Sequence, residues 1–114
     1  MNFDALRDYL LKKPGASEDF PFDTVTLVIK VGGKMFALTN ITADPLRINL
    51  KCDPIKADFL RQHYPAVLPG YHMNKRHWNT VVLDGSIPEA EILSMIDESY
   101  DLVVQGLSKA KRPV

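Results

Sequence analysis

The sequence contains a single cysteine, Cys52, and it has no excess of charge of either sign. One cysteine cannot form an internal disulfide, so we expect a protein of a reducing compartment, the cytoplasm. The 14 Lys and Arg residues balance the 14 Asp and Glu residues, which argues against a protein that coats nucleic acid indiscriminately. Any binding of an anion must therefore depend on a local excess of positive charge.

Long apolar runs and secretion signals are also missing. No stretch approaches the roughly 20 apolar residues that cross a bilayer, and the segment from Met1 to Ala5 lacks the basic start of a signal peptide. We therefore expect no membrane contact. Apolar residues make up 46% of the chain and charged residues 25%, which is typical of a folded protein. Without repeats or linkers, residues 1–114 are predicted to form one domain.

The clearest local pattern is a β-hairpin centred on Gly32 and Gly33. Residues 24–31 form a β-branched apolar run, and residues 34–39 continue the strand pattern after the two glycines. Two glycines favour a type I′ turn, because that turn requires positive φ at both central positions. Residues 46–52 then alternate apolar and polar side chains, which predicts a third strand with a basic outer face.

The remaining patterns predict three helices and two more strands. We expect helix starts near Asn2, at the N-cap Asp53, and at a capping box that begins at Ser86. The second helix is expected to bury Ile55 and Phe59. The predicted elements are, in order, helix 3–12, a loop over 16–23, strands 24–31, 34–39 and 46–52, a helix from 53 that ends before Pro65, an edge strand within 67–73, strand 78–83, and a helix from 86 to about 107 that buries Ile92, Ile96, Tyr100, Val103 and Leu107.

This element order, α-β-β-β-α-β-β-α, predicts an α+β fold of two layers. Consecutive short strands without intervening crossover helices pair antiparallel. We therefore expect a five-stranded antiparallel sheet with the helices on one face, and a second face left uncovered.

A cationic, aromatic segment occupies residues 69–80. No Asp or Glu occurs between Phe59 and Leu83, and this interval contains three cations and all three histidines. Lys and Arg bind phosphates, and aromatic rings stack on bases. We predict that the turn 71–78 contacts DNA, with help from the third strand if that strand lies beside the turn. The predicted contact residues are Arg47, Lys51, Tyr71, His72, Asn74, Lys75, Arg76, His77 and Trp78.

Two further interpretations of this segment stay open. Asn79, like Asn74, has an amide that can hydrogen-bond the edge of a base. The same segment can instead be a structural turn, in which Tyr71 and Trp78 pack on the core while Lys75 and Arg76 point to water.

A set of short segments, each present once, is distributed over almost the whole chain: Pro21-Phe22, Lys30-Val31 with Gly33 to Leu38, Asn49 to Cys52, Pro69 to Lys75 with His77-Trp78, and Leu83 to Ser86. This combination resembles the MmcQ/YjbR family, and Gly-Tyr-His-Met-Asn-Lys-x-His-Trp is its most specific part. The resemblance implies a small domain of helix, three strands, helix, two strands and helix. It also implies the label DNA-binding, with no catalytic residue to carry over. Asp23 departs from the glycine expected after Pro-Phe and adds a negative charge to that loop.

No motif in the sequence indicates catalysis, a metal or a cofactor. Cys52 falls on the apolar face of its strand, where thiols are usually inert. The spacings between Cys52, His63, His72 and His77 match no zinc signature. We therefore predict a binding domain that is not an enzyme and needs no cofactor. The alternative to DNA binding is a protein-interaction or chaperone-like module that uses the uncovered sheet face.

Overall fold

The computed structural model describes residues 1–113 and contains three helices beside a six-stranded sheet. Helices α1, α2 and α3 span Phe3–Leu11, Pro54–His63 and Glu89–Gln105, and a short 3-10 turn follows at Lys109–Lys111. Strands β1 to β6 span Ala16–Asp19, Thr26–Val31, Lys34–Asn40, Leu46–Lys51, Val67–Pro69 and Trp78–Leu83. No helix in this part of the chain is long and apolar enough to cross a membrane.

The sheet has the strand order β1-β2-β3-β4-β6-β5, and every pair is antiparallel. The predicted hairpin is confirmed, since β2 and β3 pair across Gly32 and Gly33, whose φ angles are +56° and +82°. These values lie in the left-handed region that only glycine adopts without strain. The short β5 lies at the edge, as predicted.

The prediction of five strands, with a loop over residues 16–23, is wrong by one strand. Residues 16–19 form β1, which pairs with β2 so that Ala16 faces Val31 and Asp19 faces Val28. Its side chains are mostly exposed, so β1 has neither the apolar alternation nor the β-branched composition of an ordinary strand. It is an edge strand held by backbone pairing, with an ion pair from Glu18 to α1. Such a strand leaves little trace in a hydropathy pattern.

All three helices pack on one face of the sheet, as predicted. The core joins apolar side chains of α1, α2 and α3 to the inward-facing residues of the strands. The predicted stripe of the last helix is confirmed as buried: Ile92, Ile96, Tyr100, Val103 and Leu107. The opposite face of the sheet carries no helix, and it is called the open face below.

Helix α2 is rotated relative to the prediction. Ile55 and Phe59 are 82% and 61% exposed, whereas Ala57 and Leu60 are buried. The Asp53 cap is as predicted, since its side chain accepts hydrogen bonds at the helix start. The rotation has a polar cause, because Arg61 of α2 hydrogen-bonds the buried side-chain amide of Asn79.

The predicted capping box at Ser86 is also wrong. Helix α3 begins at Glu89, with Pro88 at the N-cap position and no side-chain cap. Ser86 instead bonds Asp84, whose Oδ1 accepts from the Ser86 amide at 2.9 Å and from its hydroxyl at 2.6 Å. The Ser86 hydroxyl thus donates to a carboxylate two residues earlier and does not accept from an amide of the helix, so the serine closes a turn before the helix.

A buried hydroxyl on α3 hydrogen-bonds backbone groups of β3 and β4 that do not pair with each other. Strands β3 and β4 pair in register only at Ala37 with Leu50 and at Leu38 with Asn49. Beyond these pairs, the Ser99 hydroxyl accepts from the Lys51 amide at 2.8 Å and donates to the Phe36 carbonyl at 2.6 Å. The serine therefore satisfies two backbone groups that lack strand partners, where water cannot reach them.

The Ser99→Ala variant should lose about 1–3 kcal/mol of unfolding free energy, because it leaves a buried donor and a buried acceptor without partners. Urea unfolding followed by circular dichroism measures this loss. Ser94→Ala is the matched control, since Ser94 is an exposed serine of the same helix and should change little. Equal stability of the two variants would contradict this account of the sheet.

The helices α1 and α3 are joined by a small polar cluster. The Tyr9 hydroxyl donates to Asp97 Oδ1 at 2.7 Å, and Lys13 Nζ lies 2.5 Å from the same carboxylate. The hydrogen bond to Asp97, then burial and the carboxylate charge, raise the pKa of Tyr9 from 10.0 to about 12. Burial opposes ionisation of Asp97, but the bonds from Lys13 and Tyr9 outweigh it and hold the pKa of Asp97 below its ordinary value.

The raised pKa of Tyr9 predicts a loss of stability at high pH. The unfolded chain ionises this tyrosine near pH 10 and the folded protein only near pH 12, so the contribution is complete below 10 and is lost as pH rises through 12. In Tyr9→Phe, the fall of stability over this interval should be less steep. Denaturant unfolding at a series of alkaline pH values measures it, with Tyr71→Phe as the control at an exposed tyrosine.

Candidate functional site

The turn between β5 and β6 depends on a close backbone contact at Gly70. The Gly70 amide donates to the Trp78 carbonyl at 2.9 Å. A Cβ atom on residue 70 would lie 2.7 Å from Cβ of Trp78 and 2.8 Å from its carbonyl oxygen. Only glycine fits at this distance, so the glycine of the motif has a structural role.

Asn74 closes the same turn from inside. Its side-chain oxygen accepts from the Arg76 amide at 2.9 Å, and its carbonyl accepts from the amides of His77 and Trp78 at 3.2 Å and 2.9 Å. The side-chain oxygen of Asn74 is therefore engaged within the turn. The carbonyl of His77 accepts from the Cys52 amide at 2.8 Å, which ties the turn to the end of β4.

Arg61 of α2 fixes the turn from the helical side of the sheet. Its Nε donates to Asn79 Oδ1 at 2.7 Å, and its guanidinium also reaches the carbonyl oxygens of Lys75 and Trp78. Asn79 is only 2% exposed and donates to the Ala57 carbonyl at 3.4 Å. The interpretation of Asn79 as a contact to bases is therefore wrong. Its buried amide needs partners, and turning Arg61 towards it moves Phe59 to the outside of α2.

The pairing of β4 with β6 brings the two predicted cationic segments together. Lys51 lies opposite Trp78, and Arg47 lies opposite Val82 four residue pairs further along. The third predicted strand therefore adjoins the turn. The four ion pairs in residues 1–113 involve none of the cations Arg47, Lys51, Lys75 and Arg76.

The predicted residues differ in their surroundings. Tyr71, His72, Lys75 and Arg76 are exposed, whereas Lys51, His77 and Trp78 are half-buried. His72 has a φ of +58°, which is strained for a residue other than glycine and is often found at functional sites. Lys75 Nζ lies 3.4 Å from the Gly70 carbonyl, so its side chain folds back over the turn.

The remaining residues considered for metal or thiol chemistry lie apart. His63 stacks on Phe59 on the outer side of α2, with ring centroids 5.6 Å apart. Within residues 1–113 no three His, Cys, Asp or Glu side chains are placed to share a metal ion. Burial, followed by the charge of Glu98, raises the pKa of the Cys52 thiol, so little thiolate forms at neutral pH.

A groove of about 750 Å³ lies on the open face of the sheet. Its floor is formed by β3, β4 and β6, and its sides by the loop before β2, the β3–β4 loop and the start of the turn at Tyr71. This volume falls within the range of small-molecule sites. This cavity is called the open-face groove, and its lining includes Phe22, Leu38, Arg47, Asn49, Tyr71 and Thr80.

A hydrogen-bond relay connects the turn to the floor of the open-face groove. The Tyr71 amide donates to Thr80 Oγ1 at 3.0 Å, so the Thr80 hydroxyl must give its own proton to Asn49 Oδ1, which is 2.5 Å away. This assignment leaves the Asn49 amide nitrogen with two N–H donors. Within residues 1–113 these donors make no hydrogen bond to another protein group, and the nitrogen is not a buried, unpaired atom, so it is accessible to solvent.

The sequence identified part of this groove. Arg47, Tyr71 and His72 line it and were predicted contacts, but Asn49 and Thr80 were missed. The outward position of Asn49 in the alternation of its strand was a usable signal. The participation of Thr80 was not, since it depends on the pairing of β4 with β6.

Residues 11–102, which include every residue of the open-face groove, match the family model described as YjbR. The chain belongs to the YjbR family. Protein YjbR of Escherichia coli K12 is 38% identical over 112 residues, which cover 98% of this chain and 95% of that protein. Protein YbdF of Escherichia coli O157:H7 is 42% identical over 99 residues, which cover 87% of this chain and 81% of that protein. The family resemblance predicted from the motif is confirmed.

Two solved structures share the fold of this YjbR-family chain. The crystal structure of Deinococcus radiodurans protein DR2400, a DUF419 domain, has a TM-score of 0.91 at 46% identity and covers 96% of this chain and 84% of that chain. A crystal structure of a Pseudomonas syringae protein has a TM-score of 0.77 at 34% identity, and covers 90% of this chain and 98% of that chain. The two-layer arrangement is therefore common to these proteins.

Arg61→Ala should destabilise the protein by about 1–3 kcal/mol, because it leaves the buried oxygen of Asn79 without its partner. It should also increase hydrogen exchange at the amides of residues 76–78, since Arg61 holds two carbonyls of this turn. Arg76→Ala is the matched control, because it removes an exposed arginine of the same turn. If both variants exchange at the parent's rate, Arg61 does not hold the turn.

Proposed function

We propose that this YjbR-family protein is a DNA-binding domain and not an enzyme. Its contact surface is a basic surface formed by Arg47, Lys51, Lys75 and Arg76. The observation that carries the proposal is the pairing of β4 with β6, which places Lys51 directly opposite Trp78 of the turn. Two basic segments that are distant in sequence thereby adjoin each other, and none of the four cations has a carboxylate partner in residues 1–113.

The distribution of charge over the two layers supports the proposal. Arg47 and Lys51 alternate along β4 with the buried Ile48 and Leu50, so they project from the open face. The acidic run from Asp84 to Asp101 belongs to the helical side, where α3 presents exposed carboxylates. Two of the carboxylates on α3, Asp97 and Glu98, are paired with Lys13, which follows α1, and with Lys56 of α2. The four cations of the basic surface have no such partners, so their charge stays available to a polyanion.

The burial and the pKa of Cys52, the only thiol in the sequence, support a non-enzymatic role. Cys52 is buried, and its pKa is raised by that burial. A catalytic thiol needs the opposite, a lowered pKa and access to substrate.

A protein-interaction module is the second candidate. It is favoured by the exposure of the large side chains Phe22 and Tyr71 beside the open face, 65% and 69% respectively. Exposed apolar side chains often mark contacts with a partner. This candidate takes first place if the following measurement fails to detect DNA binding.

The double variant Lys75→Ala/Arg76→Ala should weaken binding to every DNA sequence tested. Each cation that contacts a phosphate releases roughly one counterion, so the slope of log affinity against log salt should become shallower by roughly two units. Fluorescence anisotropy of a labelled oligonucleotide over a series of salt concentrations measures both effects. Thermal unfolding should be unchanged, since exposed charges contribute little to stability.

Lys109→Ala/Lys111→Ala is the matched control for this double variant. It removes the same charge from two exposed lysines of the 3-10 turn, outside the basic surface. We expect a smaller loss of affinity and a nearly unchanged salt slope. If the Lys75/Arg76 variant binds like the parent at low and at high salt, the basic surface does not contact DNA.

A further inference from the structure

We infer that the open-face groove holds an unpaired nucleotide, so that the protein prefers single-stranded to double-stranded DNA. This inference rests on the proposed function and adds the form of its ligand. A base that is paired and stacked in a duplex cannot enter a groove between a sheet and two loops. An unpaired base can enter it and be stacked and hydrogen-bonded there.

The floor of the groove offers hydrogen-bond donors to an acceptor edge. The relay from Tyr71 through Thr80 fixes the orientation of the Asn49 side chain and directs its oxygen to the protein. The two N–H donors of Asn49 therefore remain for a ligand. The exocyclic oxygens and ring nitrogens of bases are acceptors for such an amide.

Exposed aromatic rings stand at both sides of this floor. Phe22 precedes β2 on one side, and Tyr71 is tied to β6 on the other, with β3 and β4 between them. Phe22 is 65% exposed and Tyr71 is 69% exposed. The His72 ring lies against Tyr71 with centroids 4.0 Å apart, and the remaining exposed ring surface of Tyr71 and that of Phe22 can stack on a base. Each stacked base contributes affinity without regard to sequence, which suits binding of single strands.

Arg47 provides a charge close to Asn49. The two residues are separated by one residue on β4 and project from the same face, so their Cα atoms are roughly 6.6 Å apart. A guanidinium binds phosphate oxygens in a bidentate manner, and Arg47 makes no ion pair with any residue of the described chain.

Two carboxylates, Asp23 and Asp44, also line the groove. Asp23 accepts hydrogen bonds from the Val25 amide and from the amide and hydroxyl of Thr26, so its charge is engaged within its own loop. Asp44 and Arg47 are both exposed, so water screens both charges. Neither carboxylate forms an ion pair with Arg47, so the guanidinium keeps its donors for a phosphate.

The test compares a short labelled oligothymidylate with the same strand annealed to its complement. The parent protein should bind the single strand more tightly than the duplex. Tyr71→Ala and Phe22→Ala should each weaken binding of the single strand by about 5-fold to about 150-fold, the effect of losing one stacked base. Binding of the duplex should change by less than about 2-fold, since the basic surface is intact.

Phe59→Ala is the matched control for the loss of an exposed ring. Phe59 lies on α2, on the helical side of the sheet, and its removal should leave both affinities unchanged. Tyr71→Ala leaves the relay in place, because the relay uses the backbone amide of residue 71. A fall in single-strand affinity therefore reports the ring and not a collapse of the groove.

The outcomes separate the inference from the proposed function. If the parent binds both forms equally and only Lys75→Ala/Arg76→Ala weakens binding, the DNA-binding function stands and the groove inference is wrong. If the parent binds neither form, the proposed function is wrong and the inference falls with it. If the parent prefers the single strand, amide shifts on titration with thymidine monophosphate locate the base. Shifts centred on Asn49, Tyr71 and Thr80 support the groove as its site, and shifts elsewhere overturn it.

Discussion

The pairing of β4 with β6 is the contact on which the rest of the molecule depends. After β4 the chain leaves the sheet through α2, and it returns so that β6, not β5, lies beside β4. The register places Asn79 opposite Leu50 on the core side and Thr80 opposite Asn49 on the open side. A slip by one residue would exchange these faces, moving Asn79 to the open face and Thr80 into the core.

Two polar side chains of β6 thus connect the sheet to different parts of the protein. On the core side, Asn79 binds Arg61 and fixes the rotation of α2 and the shape of the turn. On the open side, the Thr80 hydroxyl accepts a hydrogen bond from the Tyr71 amide and donates one to the Asn49 side chain, which fixes its orientation. The helix, the turn and the groove therefore follow from one strand register. Burial of apolar area opposes a slip by one residue, because such a slip turns the core face outward. A slip by two residues keeps the faces, and these polar contacts oppose it because they would be lost.

The elements that the sequence predicted well are those that depend on neighbours in the chain. The Gly32-Gly33 hairpin and the stripe of α3 are properties of local spacing, and both are present. Ile55 and Phe59 of α2 show the limit of such reasoning. Their spacing is helical, but the face that α2 buries is decided by a polar partner on a distant strand.

The candidate site shows the same division between local and distant causes. The cations and rings of residues 71–78 were visible in the sequence, and so was the polar outer side of β4. The contact between these two segments could not be predicted from the sequence, because no local pattern indicates that β4 and β6 are neighbouring strands. The relay through Thr80 and the position of Phe22 beside the groove are consequences of that same pairing and of the β1–β2 edge.

The absence of ion pairs at the basic surface has a consequence for encounter. The chain has no net charge, yet the four cations of this surface have no carboxylate partner within residues 1–113, so the potential close to them is set by their own charge. A polyanion that comes within a screening length is drawn towards this surface while the two molecules are still apart. The exposed carboxylates Glu89, Glu91 and Asp101 of α3 repel it over the same distance. Encounters thus become oriented before any atom touches, and added salt reduces this orientation as the screening length shortens.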